Sequence, residues 1–150
     1  MTSSGIEKMN EEHLDEVLEV ERLSSPTPWS RKMFLEELRN PLAHAFIYRF
    51  EEARDRPVVG FICFRNVGEE SELLNIGVHP LYRRRGIGKA LMQFYMEWGK
   101  ADQIRTFYLE VRTSNPLAIH LYQRFSYQPA GIRKEFYQGK FDALVMVRRA

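Results

Sequence analysis

The chain has 150 residues, 44% of them apolar and 28% charged, with a formal net charge of +2. That length supports one domain over residues 1–150 with a real core, and so small a charge excludes a bulk nucleic-acid binder. A single cysteine excludes an internal disulfide framework and suits a reducing compartment, while a polar N-terminus and no apolar run near eighteen residues argue against a leader or membrane span; a cytoplasmic location is expected.

Residues 5–9 read as a first strand. Asn10 caps a helix to about residue 23, with Leu14, Val17, Leu18 and Val20 mostly inward, and Ser24-Ser25-Pro26-Thr27-Pro28 breaks it. Ser30 caps a second helix over 31–39, which Asn40-Pro41 ends. Strands follow at 43–50 and 58–67, joined by a charged turn over 51–56. Cys63 lies inside the second strand and reads as a buried small hydrophobe, not a nucleophile. A third strand, 72–78, leads to a turn at His79-Pro80. Beyond it the chain alternates: helix 86–100, strand 105–111, helix 115–124, a short strand near 127–131 and a last strand over 143–148. Residues 132–142 read as a polar, aromatic-rich connection. The pattern is mixed α/β with one sheet.

The densest signal is Arg83-Arg84-Arg85-Gly86-Ile87-Gly88-Lys89. It sits between a strand and an amphipathic helix on which Ala90, Leu91, Phe94, Tyr95 and Trp98 recur at helical spacing. Unpaired N–H groups in a helix's first turn, the positive end of its dipole and glycines that allow close approach make an anion site. The spacing excludes a nucleotide P-loop, because Arg83 stands where the first glycine is needed and Ala90 where Ser or Thr is needed. It excludes a dinucleotide fingerprint too, because Leu91 stands where the third glycine belongs. An exposed basic turn with no ligand remains the bland alternative. The histidines His13, His44, His79 and His120 are scattered without metal-ligand spacing, so no metal is expected.

Further on, Phe107-Tyr108-Leu109-Glu110-Val111 reads as a short strand that is apolar apart from Glu110. Arg112-Thr113-Ser114-Asn115-Pro116 makes a turn, with Ser114 or Asn115 as cap of the next helix. A lone carboxylate on an apolar strand is expected to hold its proton more tightly than usual, which suits a base near neutrality; a structural glutamate paired with Arg112 or another cation is the alternative.

Taken in order, Pro28-Trp29-Ser30, Asn75-Ile76-Gly77-Val78, residues 82–88, Leu109-Glu110-Val111-Arg112, Ser114-Asn115 and Leu121-Tyr122 resemble the GNAT superfamily of acetyl-CoA-dependent N-acetyltransferases. Within it the chain is similar to the RimI-type group of ribosomal-protein-alanine N-acetyltransferases. The resemblance spans nearly the whole chain. It implies a mixed, mostly antiparallel central sheet flanked by helices, with splayed strands at the acetyl-CoA site. By the same resemblance, Arg83, Arg84, Arg85, Gly86, Ile87, Gly88 and Lys89 cradle the pyrophosphate. Pantetheine pairs like an extra strand beside Ile76, Gly77 and Val78, and Asn115 contacts the cofactor. Gly77 is expected at a strand bulge, with the Val78 N–H facing the thioester carbonyl. Glu110 is the implied general base. Tyr122, twelve residues later, is the implied general acid for the leaving thiolate, with a core tyrosine as the alternative. Trp29 and Tyr137 lie in the two connections that flank the acceptor, where each could grip a peptide or simply pack. Glu36, Glu37 and the acids of the first helix read mostly as a solvated face. The family's fourth helix often ends in Gly-Phe, where this chain has Ser126-Tyr127, and Phe141-Asp142 replaces a more acidic pair.

The implied reaction is acetyl transfer to an amine. An α-amine near pKa ~8 gives up its proton at pH 7 for roughly 1 kcal/mol, against roughly 4–5 kcal/mol for a lysine near ~10.4. A modest base therefore suits a protein N-terminus, ribosomal-protein alanine being the expected type, with no direct nucleic-acid or membrane partner. A small-molecule amine or a lysine side chain is the alternative acceptor. An acyl-CoA-binding regulatory protein is the non-enzyme alternative, and it would not need Glu110 and Tyr122 together.

Overall fold

The computed structural model describes residues 5–137 and 141–150, with backbone alone for residues 135–137. One seven-stranded sheet runs through it. In chain order the strands are β1 (Ile6–Lys8), β2 (Ala43–Arg49), β3 (Val58–Val67), β4 (Glu70–Val78), β5 (Thr106–Arg112), β6 (Gln128–Tyr137) and β7 (Phe141–Arg149). In space the order is β1-β2-β3-β4-β5-β7-β6. Every pairing is antiparallel except β4 with β5.

Local sequence chemistry sets the helix starts. Asn10 Oδ1 accepts from the Glu12 N–H at 2.9 Å, and the Asn10 N–H donates to His13 Nδ1 at 3.0 Å. This reciprocal cap opens a 3₁₀ turn, Glu11–His13, that runs into α1 (Leu14–Ser24). Ser30 Oγ accepts from the Met33 N–H at 3.2 Å and starts α2 (Arg31–Arg39). α3 (Ile87–Ala101) and α4 (Pro116–Arg124) complete the set.

Strand alternation divides the core. On one face α1 and α2 bring Leu14, Val17, Val20 and Phe34 against Ile47, Phe61 and Cys63. On the other, α3 and α4 bring Ile87, Leu91, Tyr95 and Tyr122 against Ile62, Phe64, Phe107 and Leu109. Each such fully buried side chain contributes about 1.5–3 kcal/mol. β3 is covered on both faces, so its apolar run from 58 to 64 is continuous. Cys63 is fully buried there, and burial pushes its thiol up, as expected of an inert side chain. On β5 only alternate residues face α3 and α4: Phe107, Leu109 and Val111 are buried. Period two therefore turns Tyr108, Glu110 and Arg112 to the opposite face.

One expectation is corrected. Residues 132–137 and 141–142, expected in a connection, are strand, because β6 extends to Tyr137 and pairs with β7 through Tyr137↔Phe141. The polar character that suggests a loop belongs to an edge strand. Among the described residues β6 has β7 as its one neighbour, and residues 128–134 are exposed, so charged side chains are tolerated there.

At the end of α4, Ser126 stands where the resemblance implies a glycine. Its φ is +68°, in the left-handed region. The Tyr127 N–H then bonds back to the Tyr122 carbonyl at 3.2 Å, which delivers Tyr127 to the core at 1% exposure. A non-glycine residue pays about 1–2 kcal/mol for that conformation, of which glycine's greater freedom in the unfolded chain gives back about 0.4–1. Ser126→Gly is expected to raise the thermal midpoint by about 2–4 °C, measured by calorimetry; an unchanged or lower midpoint would count against the strain assignment.

Candidate active site

β4 and β5 pair only from Glu70↔Thr106 to Leu73↔Leu109. Beyond that point the strands part. The register between β3 and β4 passes from Phe64↔Leu73 to Cys63↔Asn75, so Leu74 is an extra residue on β4. Such a bulge bends and twists its strand away from the old partner. The parted edges, the connection between α1 and α2, and the starts of α3 and α4 enclose a cleft of about 540 Å³. The bulge is thus at Leu74 and not at Gly77, which stays in register with Phe61. Gly77 lacks a side chain for another reason: a Cβ there would lie 2.6 Å from Phe61 Cε2 and 3.1 Å from Ser24 Oγ.

One end of the cleft gathers backbone N–H groups and cationic side chains of the kind that suit an anion. Arg84 and Gly86 both have left-handed backbones, with φ of +64° and +79°. Such residues turn successive N–H groups to one side. The first bond of α3 runs from the Ala90 N–H to the Gly86 carbonyl at 2.9 Å, so the N–H groups of Ile87, Gly88 and Lys89 have no partner inside the helix. Nothing lies within 4 Å of a Cβ built on Gly86, so its backbone conformation, not crowding, asks for glycine. Arg83, Arg84, Gly86, Ile87, Gly88 and Lys89 all line the cleft. This donor set fits a pyrophosphate. Arg85 stands apart: its guanidinium lies 5.3 Å from the Phe50 ring centre and 5.7 Å from that of Tyr82.

The other expected residues converge on the same cleft. Ile76, Gly77 and Val78 line its β4 wall, Glu110 its β5 wall, and Asn115 and Tyr122 its α4 side. Glu110 is not the lone carboxylate expected, since Arg133 Nη1 donates to its Oε1 at 2.6 Å. The cation comes from the part of β6 beyond residue 131, the stretch expected to be a connection. Arg112, the nearer candidate, places its guanidinium 3.7 Å from the Phe141 ring centre. Tyr122 is 6% exposed, its ring 5.9 Å from that of Tyr127. Asn115 caps α4, its Oδ1 accepting from the Ala118 N–H at 3.2 Å. Trp29 lines the cleft and packs on Phe34 with ring centres 5.1 Å apart. Tyr137 has its backbone in β6, and its side chain lies outside the described residues.

The sequence profile of the acetyltransferase (GNAT) family matches residues 14–127. The chain belongs to the GNAT acetyltransferase family. The enzyme is 35% identical to a Bacillus subtilis protein provisionally named a ribosomal protein bS18-alanine N-acetyltransferase, over 97% of this chain and 95% of that one. It is 31% identical to the ribosomal protein bS18-alanine N-acetyltransferase of Escherichia coli, over 85% and 84% of the two chains. The crystal structure of the Escherichia coli ribosomal-protein-S18-alanine N-acetyltransferase superposes with a TM-score of 0.85 at 28% identity, covering 96% of this chain and 92% of that one. This acetyltransferase therefore has the expected mixed, mostly antiparallel fold and uses acetyl-CoA to acetylate an amine. Among the described residues no three His, Cys, Asp or Glu side chains converge as metal ligands, and no helix is long and apolar enough to cross a membrane.

The acetyltransferase carries one cleft residue that the sequence reading missed. Glu21 lines the cleft, yet only 2% of it is exposed. Its Oε2 accepts from the Trp29 N–H and from Asn75 Nδ2, each at 2.9 Å. It and Glu37, which Arg65 holds by two bonds of 2.7 and 2.8 Å, are the exceptions to a solvated acidic face. The signal was available: Glu21 stands seven residues after Leu14 and four after Val17, on the inward stripe of α1. Burial raises the Glu21 carboxyl above its usual range, against the lowering effect of its two hydrogen bonds. The folded state thus holds this proton more tightly than the unfolded chain. The stability Glu21 contributes is complete below the unfolded pKa and is lost as pH rises through the higher folded one. Glu21→Gln removes the titration. The variant is expected to gain thermal stability relative to the native chain as pH rises above about 4.5, and a constant offset between pH 4 and 8 would contradict the assignment.

Proposed function

We propose that this acetyltransferase, acting as one domain over residues 1–150, modifies the N-terminal α-amine of a protein, with ribosomal-protein alanine as the acceptor type. The observation that carries the reading is the convergence of Glu110, Tyr122 and the anion-binding turn on one cleft at the parting of β4 and β5. The names of the relatives favour the same acceptor.

Acetyl-CoA, when bound, supplies an activated thioester carbonyl. Arg83, Arg84, Lys89 and the N–H groups of residues 87–89 hold its phosphates, and Asn115, the cap of α4, lines the same cleft. The His79 N–H bonds to the Val59 carbonyl across to β3 at 2.8 Å. Strand alternation then turns the Val78 N–H toward the opposite edge, where it serves as a donor to the developing oxyanion. Glu110 takes the proton that the amine loses as the C–N bond forms, directly or through one water. Tyr122 returns a proton to the sulfur as the C–S bond breaks. Arg133 fixes the orientation of the Glu110 carboxylate. For an α-amine, a base of ordinary strength overcomes the roughly 1 kcal/mol needed for deprotonation at pH 7.

Two matched peptides test the acceptor. One begins with free alanine and continues with a basic sequence; the other has a blocked N-terminus and one internal lysine. Mass spectrometry is expected to find a single acetyl group on the first alone. Acetylation of the lysine alone, or of neither peptide, would overturn the assignment. For the chemistry, Glu110→Gln is expected to cut turnover by about 10²–10⁴-fold while CoA binding stays near normal, and Tyr122→Phe to lower turnover in the same manner. Native turnover in either variant would remove that residue from its role.

A further inference from the structure

We propose that Glu21 is a second functional carboxylate of the cleft: its Oε1 receives the ammonium of the incoming acceptor, while its Oε2 ties the α1–α2 connection to β4. The inference rests on the reading of this cleft as an amine-acetylation site.

Partner accounting carries it. A carboxylate offers about four acceptor positions. At Glu21 the Trp29 N–H and Asn75 Nδ2 take two, both on Oε2. Oε1 is buried and has no hydrogen-bond partner among the described residues. Nor does any Lys or Arg side chain lie within ion-pair distance among them, whereas Glu37 has Arg65 and Glu110 has Arg133. Burying a carboxylate with neither a cation nor full hydrogen bonding is costly. Burial raises this carboxyl accordingly. A buried, unsatisfied carboxylate lining a cleft is the pattern of a functional group whose missing partner can arrive with the substrate.

Its position names the partner. Ser24, one turn along α1 from Glu21, sits against Gly77, and Asn75 holds Glu21 from two residues before Gly77. The free oxygen therefore stands at the β4 wall, on the side that Trp29 and Thr27 line, while the anion-binding turn lies at the start of α3. The missing partner is a cation with N–H donors, small enough to reach a side chain that is 2% exposed. A primary ammonium satisfies both conditions. It can come from a protein N-terminus or from a lysine side chain. Docking moves no proton; the amine is held as its ammonium, releases one proton to solvent before attack, and passes the second to Glu110 as the C–N bond forms.

Calorimetry on the CoA-loaded enzyme separates the roles. The ligands are the free-alanine peptide, the same peptide with its N-terminus acetylated, and the acetylated peptide with one lysine added. The native enzyme is expected to bind the free-alanine peptide at least about tenfold more tightly than its acetylated form, the size of a charge-assisted hydrogen bond. Glu21→Gln keeps an acceptor for Trp29 and Asn75 and puts an NH₂ where Oε1 stood. It is expected to shrink that preference to within about twofold, with affinity for CoA and for the acetylated peptide unchanged. Retention of the preference, or equal loss of all three affinities, would overturn the proposal. Glu110→Gln supplies a check that does not depend on the Glu21 variant's folding. It is expected to keep the preference, and its loss there would assign docking to Glu110 instead. The mass assay separates the two readings. If the native enzyme acetylates the α-amine and Glu21→Gln keeps the preference, this inference alone fails. If only the lysine arm is bound tightly and acetylated, and Glu21→Gln abolishes that binding, the α-amine reading fails and Glu21 remains the ammonium dock.

Discussion

Everything at the cleft depends on the parting of β4 and β5 after Leu73 and Leu109. A parallel pair inside a sheet normally continues until both strands end, because each lost ladder bond leaves backbone groups without partners. Here Leu74 is inserted into β4, the strand swings away, and the backbone of residues 74–78 faces open space. A sheet edge normally lies at the outside of a fold. This one lies in the middle, between the α3 start and the α1–α2 connection. An extended ligand can satisfy it as a further strand would. The core on either side makes the parting affordable: β3 is buried on both faces, and Tyr95 and Ser71 close a polar pair at 2.6 Å beneath β4.

Charge is distributed along this opening in a definite order. At one end lie the N–H groups of residues 87–89 with Arg83, Arg84 and Lys89, all suited to phosphate. At the other lie two carboxylates in contrasting settings. Glu110 is held by an arginine from the edge strand β6, and Glu21 is buried with hydrogen bonds to one oxygen. The cleft thus joins a cation-rich, N–H-rich turn to two carboxylates along the β4 wall. Low local dielectric strengthens charge interactions there relative to water.

Much of this was legible before any coordinates. The starts of α1 and α2 follow from Asn10 and Ser30, whose side chains cap the adjacent turns in the manner their residue types dictate. The basic glycine turn was readable as an anion site because its chemistry is local: a strand end, left-handed residues and a helix start lie within ten positions. Less was visible where a residue's role depends on a distant neighbour. Arg85 looks equivalent to Arg83 and Arg84 in sequence, yet Phe50 and Tyr82 draw it away from the cleft. Gly77 looks like a bulge glycine, yet Phe61 and Ser24 are what exclude its side chain. The stretch after 131 looks like a loop because edge strands carry the same polar composition as connections.

The sequence by itself determined the family, the order of nearly all the elements, the basic glycine turn at the start of α3 and the membership of Glu110 and Tyr122 in one region. Each of these is written in short-range patterns: caps, periodicity and motif spacing. The tertiary structure alone decided the pairing of Glu110 with Arg133, the displacement of the bulge to Leu74 and the conversion of Glu21 from one helix acid among several into a buried group of the cleft. The physical reason is the same in each case. A side chain's charge state and partners are set by what packs against it. Those neighbours come from strands and helices tens of residues away, whose approach no local pattern encodes.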